Sequence, residues 1–198
     1  KMIVTNAKRI QDRVREIADA VKGVTSPPHF VPCQIHDIVE GVYETLRTYA
    51  KEKGIALNTA NLEALPLVEG DERRLFNALY NLVNNAIPEI PRGGSVTIRG
   101  EKGTNPDTID LAVVDTGRGM PAEVRDRLFT PQAISTKKTG TGLGTKIVKD
   151  AIDLHHGQIR VESEEGKGTT FHIRLPILQK ASSQTNVQVH SQQKEASS

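Results

Sequence analysis

The sequence has 198 residues, of which 36% are hydrophobic and only 4% aromatic, with no tryptophan. This length suits one domain with additional segments, and the low aromatic content predicts a core of Ile, Leu and Val. Because 26 basic side chains nearly balance 24 acidic ones, and aromatic stacking positions are scarce, the composition argues against nucleic acid as a partner.

The cysteine content and the apolar segments give an expectation about the compartment. Cys33 is the only cysteine, so no internal disulfide can form, and we expect a reducing, cytoplasmic location. No apolar run approaches the ~20 residues that span a bilayer, and no signal peptide opens the chain. Since the sequence starts within a repeating pattern and without Met, we expect it to belong to a longer protein with room for a membrane anchor upstream.

Residues 1–22 are predicted to form a helix with a heptad pattern. Its apolar stripe consists of Ile3, Ala7, Ile10, Val14, Ile17 and Val21. One narrow apolar stripe on an otherwise polar helix indicates a partner helix, in a dimer bundle or on the surface of its own domain. We favour the bundle, with residues 1–24 as the end of its second helix. Residues 25–32 contain Ser-Pro-Pro and are predicted to be a linker.

Residues 33–177 are predicted to form one domain. Its predicted elements are helix 34–53, strands 55–58 and 65–68, helix 71–87, strands 95–99 and 109–114, helix 121–129, a helix from 144 to about 155, and strands 158–163 and 169–175. Because the last strands form a hairpin, the pattern predicts an α+β two-layer sandwich and not a doubly wound sheet. Residues 178–198 are rich in Ser, Gln, Lys and Asn and are predicted to be disordered.

Asparagines dominate one face of the predicted helix 71–87. Asn77, Asn81 and Asn85 recur every four residues and therefore share a face, with Asn84 close by. Asn is a poor helix former, so something should offset the cost of this row. A row of amide oxygens can hold a hard cation such as Mg²⁺ that is shared with phosphate oxygens, although a solvated polar face is the alternative.

Two glycine-rich segments follow. Residues 115–120, Asp-Thr-Gly-Arg-Gly-Met, come directly after a predicted strand. A carboxylate there suits recognition of the exocyclic amine of a base, but an ordinary strand-to-helix turn has the same composition. Residues 137–144 precede a predicted helix, and their glycines would let backbone N–H groups approach phosphates. Their lysines precede the glycines, so this is not a Walker A loop, and a flexible loop is the alternative.

Five motifs in this order resemble those of the GHKL ATPase superfamily, and specifically the sensor histidine kinases of two-component systems. Residues 81–86 resemble the N box, 115–119 the G1 box, 128–131 the F box, 140–144 the G2 box, and 168–171 the final glycine motif. The resemblance covers about residues 31–176. It implies the Bergerat ATP-binding fold, with an N-terminal helix from a dimerisation bundle.

The resemblance also implies a role for each motif residue. Asn81 and Asn85 are implied as the catalytic residues that hold Mg²⁺ against the triphosphate of ATP. Asp115 is implied to accept from the adenine amino group, with Thr170 assisting through a water molecule. The remaining implied nucleotide contacts are Gly117, Gly119, Lys137, Thr139, Gly140, Thr141, Gly142, Leu143 and Gly144. Residues 130–141 would form the ATP lid.

The function implied by the resemblance is that of a protein histidine kinase. Its γ-phosphoryl acceptor would be a histidine on the dimerisation bundle of the full-length chain, followed by an aspartate on a response regulator, in a full-length homodimer. His36-Asp37 is the nearest acceptor-like pair, but Gly41 stands where the acceptor pattern has proline. We therefore expect this chain to bind nucleotide without phosphorylating itself.

Two other functions stay open. Pro88, Gln132 and Thr145 depart from the kinase pattern, which leaves room for a degenerate nucleotide-binding or scaffolding module. A GHKL ATPase that hydrolyses ATP is the second alternative. Such enzymes activate water with a carboxylate on the asparagine helix, and the only acid of that predicted helix beyond its capping Asp71 is Glu72, far back from Asn81.

Overall fold

A computed structural model describes residues 27–130 and 143–178. Its elements are β1 (Val31–Cys33), α1 (Ile35–Lys53), β2 (Ala56–Ala60), β3 (Val68–Gly70), α2 (Glu72–Ala86) with a 3₁₀ turn (Ile87–Glu89), β4 (Ser95–Lys102), β5 (Thr108–Asp115), α3 (Ala122–Arg127), α4 (Leu143–Leu154), β6 (Gln158–Glu164) and β7 (Gly168–Pro176). The predicted helix 1–22, nearly all of the predicted lid and the predicted disordered tail lie outside the described residues.

The two long helices begin and end where local chemistry dictates. In α1, apolar residues at helical spacing form the buried stripe, and Gly54 ends the helix in the left-handed conformation with φ 72°. The N-terminus of α2 is capped by Asp71, whose Oδ1 accepts from the Arg74 N–H at 3.0 Å. Both helices then bury one face, as their apolar periodicity predicts.

The main sheet has five strands in the order β2-β4-β5-β7-β6. The β2–β4 pair is parallel and the other pairs are antiparallel. Alternate side chains of the central strands form the core: Val96, Ile98, Ile109, Leu111, Val113, Ile173 and Leu175. The buried faces of the long helices belong to the same core, so the domain has two layers. This confirms the predicted α+β sandwich.

The second, two-stranded sheet differs from the prediction. Its first strand, β1, begins at Val31 and thus lies partly in the range predicted as linker. It pairs antiparallel with β3, which begins at Val68 and not at the predicted position 65. Leu65 is apolar for another reason: it is buried and packs against Gly100 of β4, where a Cβ would lie 2.6 Å from its Cδ1.

A buried histidine ties the far ends of α2 and α4 together. The His155 Nε2 accepts from the Asp71 N–H at 2.9 Å, and its Nδ1 lies 2.6 Å from the Ala151 carbonyl oxygen. Burial lowers the pKa of His155, so the neutral ring is the form that this position favours. The contact fixes the start of α2 relative to the end of α4.

Within residues 27–130 and 143–178, no helix is long and apolar enough to span a bilayer.

Candidate functional site

The asparagine row of α2 lies against the first turn of α4. Asn81 is 5% exposed, and its Nδ2 donates to the Asn77 carbonyl oxygen at 2.7 Å. Gly144 packs so closely on this row that a Cβ there would lie 3.1 Å from Asn85 Nδ2 and 3.3 Å from Asn81 Oδ1. The structure therefore brings both predicted metal residues to the last glycine of the predicted phosphate loop.

Asp115, the last residue of β5, is held by backbone donors. It is 8% exposed, and its Oδ1 accepts from the Gly117 N–H at 2.8 Å and the Thr169 N–H at 3.2 Å. Burial raises the pKa of Asp115 and Glu89 adds to the rise, whereas these two N–H groups favour the ionised form. Among the described residues both bonds fall on Oδ1, so Oδ2 is the oxygen placed to accept from a ligand.

Glycines allow the loop after β5 to pack on its neighbours. Gly119 has φ 65°, and a Cβ there would overlap the Glu164 carbonyl oxygen. Gly168 has φ 92°, and its Cβ would overlap the carbonyl oxygen of Asp115. Gly117 lies against the Glu89 carbonyl, where a Cβ would be 3.1 Å away. A side chain at Gly168 would therefore displace the strand end that carries Asp115, and one at Gly119 would displace the end of β6.

Ser163 connects three parts of this region through one hydroxyl group. Its Oγ accepts from the Met120 N–H at 2.9 Å and donates to the Gly168 carbonyl oxygen at 3.0 Å. It also lies 3.0 Å from Thr169 Oγ1. The glycine loop, the β6–β7 turn and the Asp115 neighbour Thr169 are thus tied to a single side chain.

The asparagine row and Asp115 are joined through Glu89. This residue ends the 3₁₀ turn that continues α2, one helical turn beyond Asn85. The Glu89 carbonyl accepts from the Arg118 N–H at 3.1 Å, and its carboxylate pairs with Arg118 Nε at 2.7 Å. The predicted metal residues and the predicted base-binding acid therefore belong to one contiguous region, as a shared ligand would require.

Thr170 is not brought to Asp115. The register pairs Asp115 with Thr169 and Val114 with Thr170, and successive side chains of a strand point to opposite faces of a sheet. Thr170 thus lies on the outer face, while the buried Thr169 is on the same face as Asp115. Within residues 168–171, the threonine opposite the Asp115 carboxylate is therefore Thr169 and not Thr170.

The remaining predicted nucleotide residues fall outside the described part of the chain. Lys137, Thr139, Gly140, Thr141 and Gly142 stay predictions. The backbone of Leu143 forms the first residue of α4. Of the departures from the kinase pattern, Pro88 is exposed in the 3₁₀ turn and Thr145 is half-buried in α4.

Thr169, Ser163 and Glu89 are residues of the site that motif matching did not identify. A signal for Thr169 exists in the sequence, because it is in phase with the apolar residues Ile173 and Leu175 of the same strand. Ser163 alternates in the same way with Ile159 and Val161 of β6, but its bond to the Met120 N–H depends on how a loop approaches the sheet, as do the contacts of Glu89.

Comparison with known families and proteins agrees with this geometry. Residues 70–179, more than half of the chain, match the family model described as histidine kinase-, DNA gyrase B-, and HSP90-like ATPase. The sensor histidine kinase ZraS from Salmonella typhi is 34% identical over 170 residues, which cover 84% of this chain and 36% of ZraS. The chain thus spans about a third of the length of this relative.

Solved structures show the same fold. The catalytic domain of the histidine kinase ThkA is 28% identical with a TM-score of 0.66, and the match covers 75% of this chain and 95% of that domain. Full-length ShkA in complex with AMPPNP is 25% identical with a TM-score of 0.72, and the match covers 87% of this chain and 36% of ShkA.

Proposed function

Because the chain belongs to the family of histidine kinase-, DNA gyrase B- and HSP90-like ATPases, we propose that it is the ATP-binding catalytic domain of a sensor histidine kinase. It would transfer the γ-phosphoryl of ATP to a histidine on the dimerisation bundle of its full-length chain, for relay to a response regulator. One observation carries the proposal: the asparagine row and Asp115 lie in one contiguous region. Asn81, Asn85 and Gly144 lie on one side of Glu89, and Asp115 lies on its other side.

Adenine recognition is assigned to Asp115. Its Oδ1 is held by two backbone N–H groups, so the carboxylate keeps its orientation without a ligand. Oδ2 is an acceptor in a largely buried position, where a hydrogen bond to an exocyclic amine is stronger than in water. Gly117 and Gly119 fit the same role, because they let the loop close on the strand end.

Phosphate binding is assigned to the first turn of α4 and the asparagine row. A helix N-terminus carries partial positive charge and unpaired N–H groups, which favour anions. Asn81 and Asn85 place amide groups beside that turn, and the absence of a Cβ at Gly144 leaves the approach open. Amide oxygens suit Mg²⁺, so the residues present fit this ion. When bound, Mg²⁺ would neutralise phosphate charge during phosphoryl transfer.

The organisation of the full-length protein is part of the same proposal. Residues 1–24 would be the end of the bundle's second helix, 25–32 the connection to the catalytic domain, and 178–198 a disordered tail. Dimerisation of the full-length chain would bring an acceptor histidine to the site, with residues 130–141 as a lid that includes Lys137 and Thr139. We place this activity in the cytoplasm, where ATP and response regulators are available.

Hydrolysis of ATP by the same fold has less support. The only acidic residue within α2 is Glu72, in its exposed first turn. Glu89, the acid that follows α2, is ion-paired with Arg118 at 2.7 Å. Glu72 is therefore at the other end of α2 from the asparagine row, and Glu89 is engaged by Arg118, so we assign neither carboxylate as a base for water. Steady turnover of ATP by this chain would favour the hydrolytic alternative.

Calorimetric titration with ADP, in Mg²⁺ and in EDTA, tests the two halves of the proposal separately. Asp115→Asn turns a donor toward the adenine amine, and we expect affinity to fall by about 10- to 100-fold in both buffers. Asn85→Ala should remove only the gain in affinity that Mg²⁺ provides. Asn58→Ala, on the edge strand β2, is the control.

Four outcomes would each contradict part of the proposal. Absence of ADP binding by the unmodified chain would remove its basis. Equal losses for Asn85→Ala in both buffers would mean that Asn85 does not act through the ion. If the longer protein bound nucleotide without transferring a phosphoryl group, the scaffolding module would be favoured. Labelled phosphate on a histidine of residues 1–198 would show that the acceptor lies within this chain.

A further inference from the structure

The strand register places three polar side chains in one row on the inner face of the sheet. Ser163 of β6 is opposite Thr169 of β7, and Thr169 is opposite Asp115 of β5. Directly opposed residues on one face have Cβ atoms about 5 Å apart. The row therefore runs from the β6 edge of the sheet to the carboxylate that the proposed function assigns to adenine.

The hydrogen bonds of Ser163 determine which way the hydroxyl protons in this row point. A serine hydroxyl has one proton. The Met120 N–H can only donate to Ser163 Oγ, and the Gly168 carbonyl can only accept from it. With its proton directed to Gly168, Ser163 can take part in the 3.0 Å contact to Thr169 Oγ1 only as acceptor. The alternative arrangement would leave two oxygens 3.0 Å apart without a proton between them.

The consequence lies at Thr169. Its only hydroxyl proton is directed at Ser163, so toward Asp115 its Oγ1 offers lone pairs alone. Asp115 Oδ2 is also an acceptor. The inner end of the site thus presents two acceptors, from Thr169 and Asp115, and no hydroxyl donor from this row. Such a surface complements the 6-amino group of adenine and repels the 6-oxo group of hypoxanthine or guanine.

We propose that Ser163 is a specificity-determining positioning residue, which holds the Thr169 hydroxyl as an acceptor and thereby sets the preference for 6-amino over 6-oxo purines. The inference rests on the proposed function, because it takes a purine nucleotide as the ligand of Asp115. Ser163 acts through Thr169 and not by touching the base.

The test is the ratio of ADP to inosine diphosphate affinity, measured by calorimetry on the 198-residue chain. The two nucleotides differ at the 6-position, and inosine also carries a proton on N1. In Ser163→Ala the Thr169 proton is released and can be donated to a 6-oxo group. We expect the ratio to fall by about fivefold or more, mainly through tighter binding of inosine diphosphate. Ser163→Thr keeps a hydroxyl group and should restore the ratio.

Thr169→Val provides a second variant that does not depend on the stability of Ser163→Ala. It should lower the same ratio, and adding Ser163→Ala to it should have no further effect. Thr170→Val, on the outer face of the sheet, should leave the ratio unchanged. Equal effects of Ser163→Ala on both nucleotides would overturn the inference, as would an unchanged ratio in Thr169→Val. If the unmodified chain bound neither nucleotide, the proposed function itself would fail.

Discussion

The two ends of the proposed nucleotide site are built from different kinds of structure. At the base end, Asp115, Thr169 and Ser163 sit on three neighbouring strands, and backbone N–H groups hold the carboxylate. At the phosphate end, two helices meet across Gly144, and the contact is made by the amides of Asn81 and Asn85. One end is thus positioned by strand register, and the other by the packing of two helices.

This difference matches what each end would have to do. A base is identified by a fixed pattern of donors and acceptors, so a register that cannot shift without breaking ladder hydrogen bonds suits it. Phosphates change in number and charge during transfer, and helices can shift by small amounts more easily than paired strands. The comparison gives a testable expectation: backbone changes at the base end should affect folding, whereas those at the phosphate end should affect binding.

The largest effect is expected at Gly168, at the base end. Gly168→Ala forces a residue at φ 92° and places its Cβ onto the Asp115 carbonyl. We expect a loss of about 4 kcal/mol or more in the free energy of unfolding, measured by urea denaturation. Gly166→Ala, in the same turn, is the matched control. It has φ 79° but no heavy atom within 4 Å of its Cβ, so it should cost about 1–2 kcal/mol. Equal costs would show that the contact with Asp115 does not hold the strand end.

A smaller effect, and of a different kind, is expected at Gly144. Gly144→Ala improves helix propensity by at most about 1 kcal/mol, the value for a helix interior, which favours folding. Its Cβ would lie 3.1 Å from Asn85 Nδ2, so the amide must move by a few tenths of an ångström. We expect unchanged or higher unfolding free energy but several-fold weaker ADP binding in Mg²⁺, from calorimetry. Loss of stability together with unchanged binding would contradict the contrast between the two ends.

The sequence predicted the elements that depend on local chemistry. The buried stripe of α1, the stop at Gly54 and the cap at Asp71 each follow from neighbouring residues. It did not predict β1, because a three-residue strand is defined only by its partner β3. The displacement of β3 has the same cause, since Leu65 is apolar in order to pack on Gly100 and not to extend a strand.

The site could be predicted to the level of motifs but not of contacts. Asn81, Asn85 and Asp115 stand out because their residue types are costly in those positions without a ligand. Thr169 required attention to the alternation of β7, which separates it from Thr170. The alternation of β6 places Ser163 on the inner face. Its bond to the Met120 N–H could not be predicted, because it joins residues 43 positions apart and depends on how the loop after β5 approaches the sheet.

The smallest expected effect is a pH dependence of stability. It acts through the contact between the start of α2 and the end of α4, the two helices whose other ends form the phosphate end. The His155 Nε2 accepts from the Asp71 N–H at 2.9 Å, so protonation would set two donors against each other. Burial lowers the pKa of His155 from its ordinary 6.5. The unfolded chain then binds this proton more readily than the folded chain. The contribution of His155 to the free energy of unfolding is therefore fully present above pH 6.5 and is lost as the pH falls. The slope is at most about 1.4 kcal/mol per pH unit.

Urea denaturation between pH 7.5 and 5 would measure this slope in three proteins. The slope should be present in the unmodified chain and smaller in His155→Gln. It should be nearly retained in His156→Asn, because the exposed His156 makes the smallest contribution to the lowered pKa of His155. Asp71 does not titrate in this pH range. Burial raises its pKa, but hydrogen bonds from the His29 and Arg74 N–H groups lower it by more, so the pKa lies below 3.8. The contribution of Asp71 to stability is therefore lost only in stronger acid. Hydrogen exchange at the lower pH should reach α2 and α4 before β5 and β7, because the His155 ring is hydrogen-bonded to the Asp71 N–H at the start of α2 and to the Ala151 carbonyl oxygen of α4. If α2, α4, β5 and β7 lost protection at the same pH, the helix pair would not open or shift independently of the sheet.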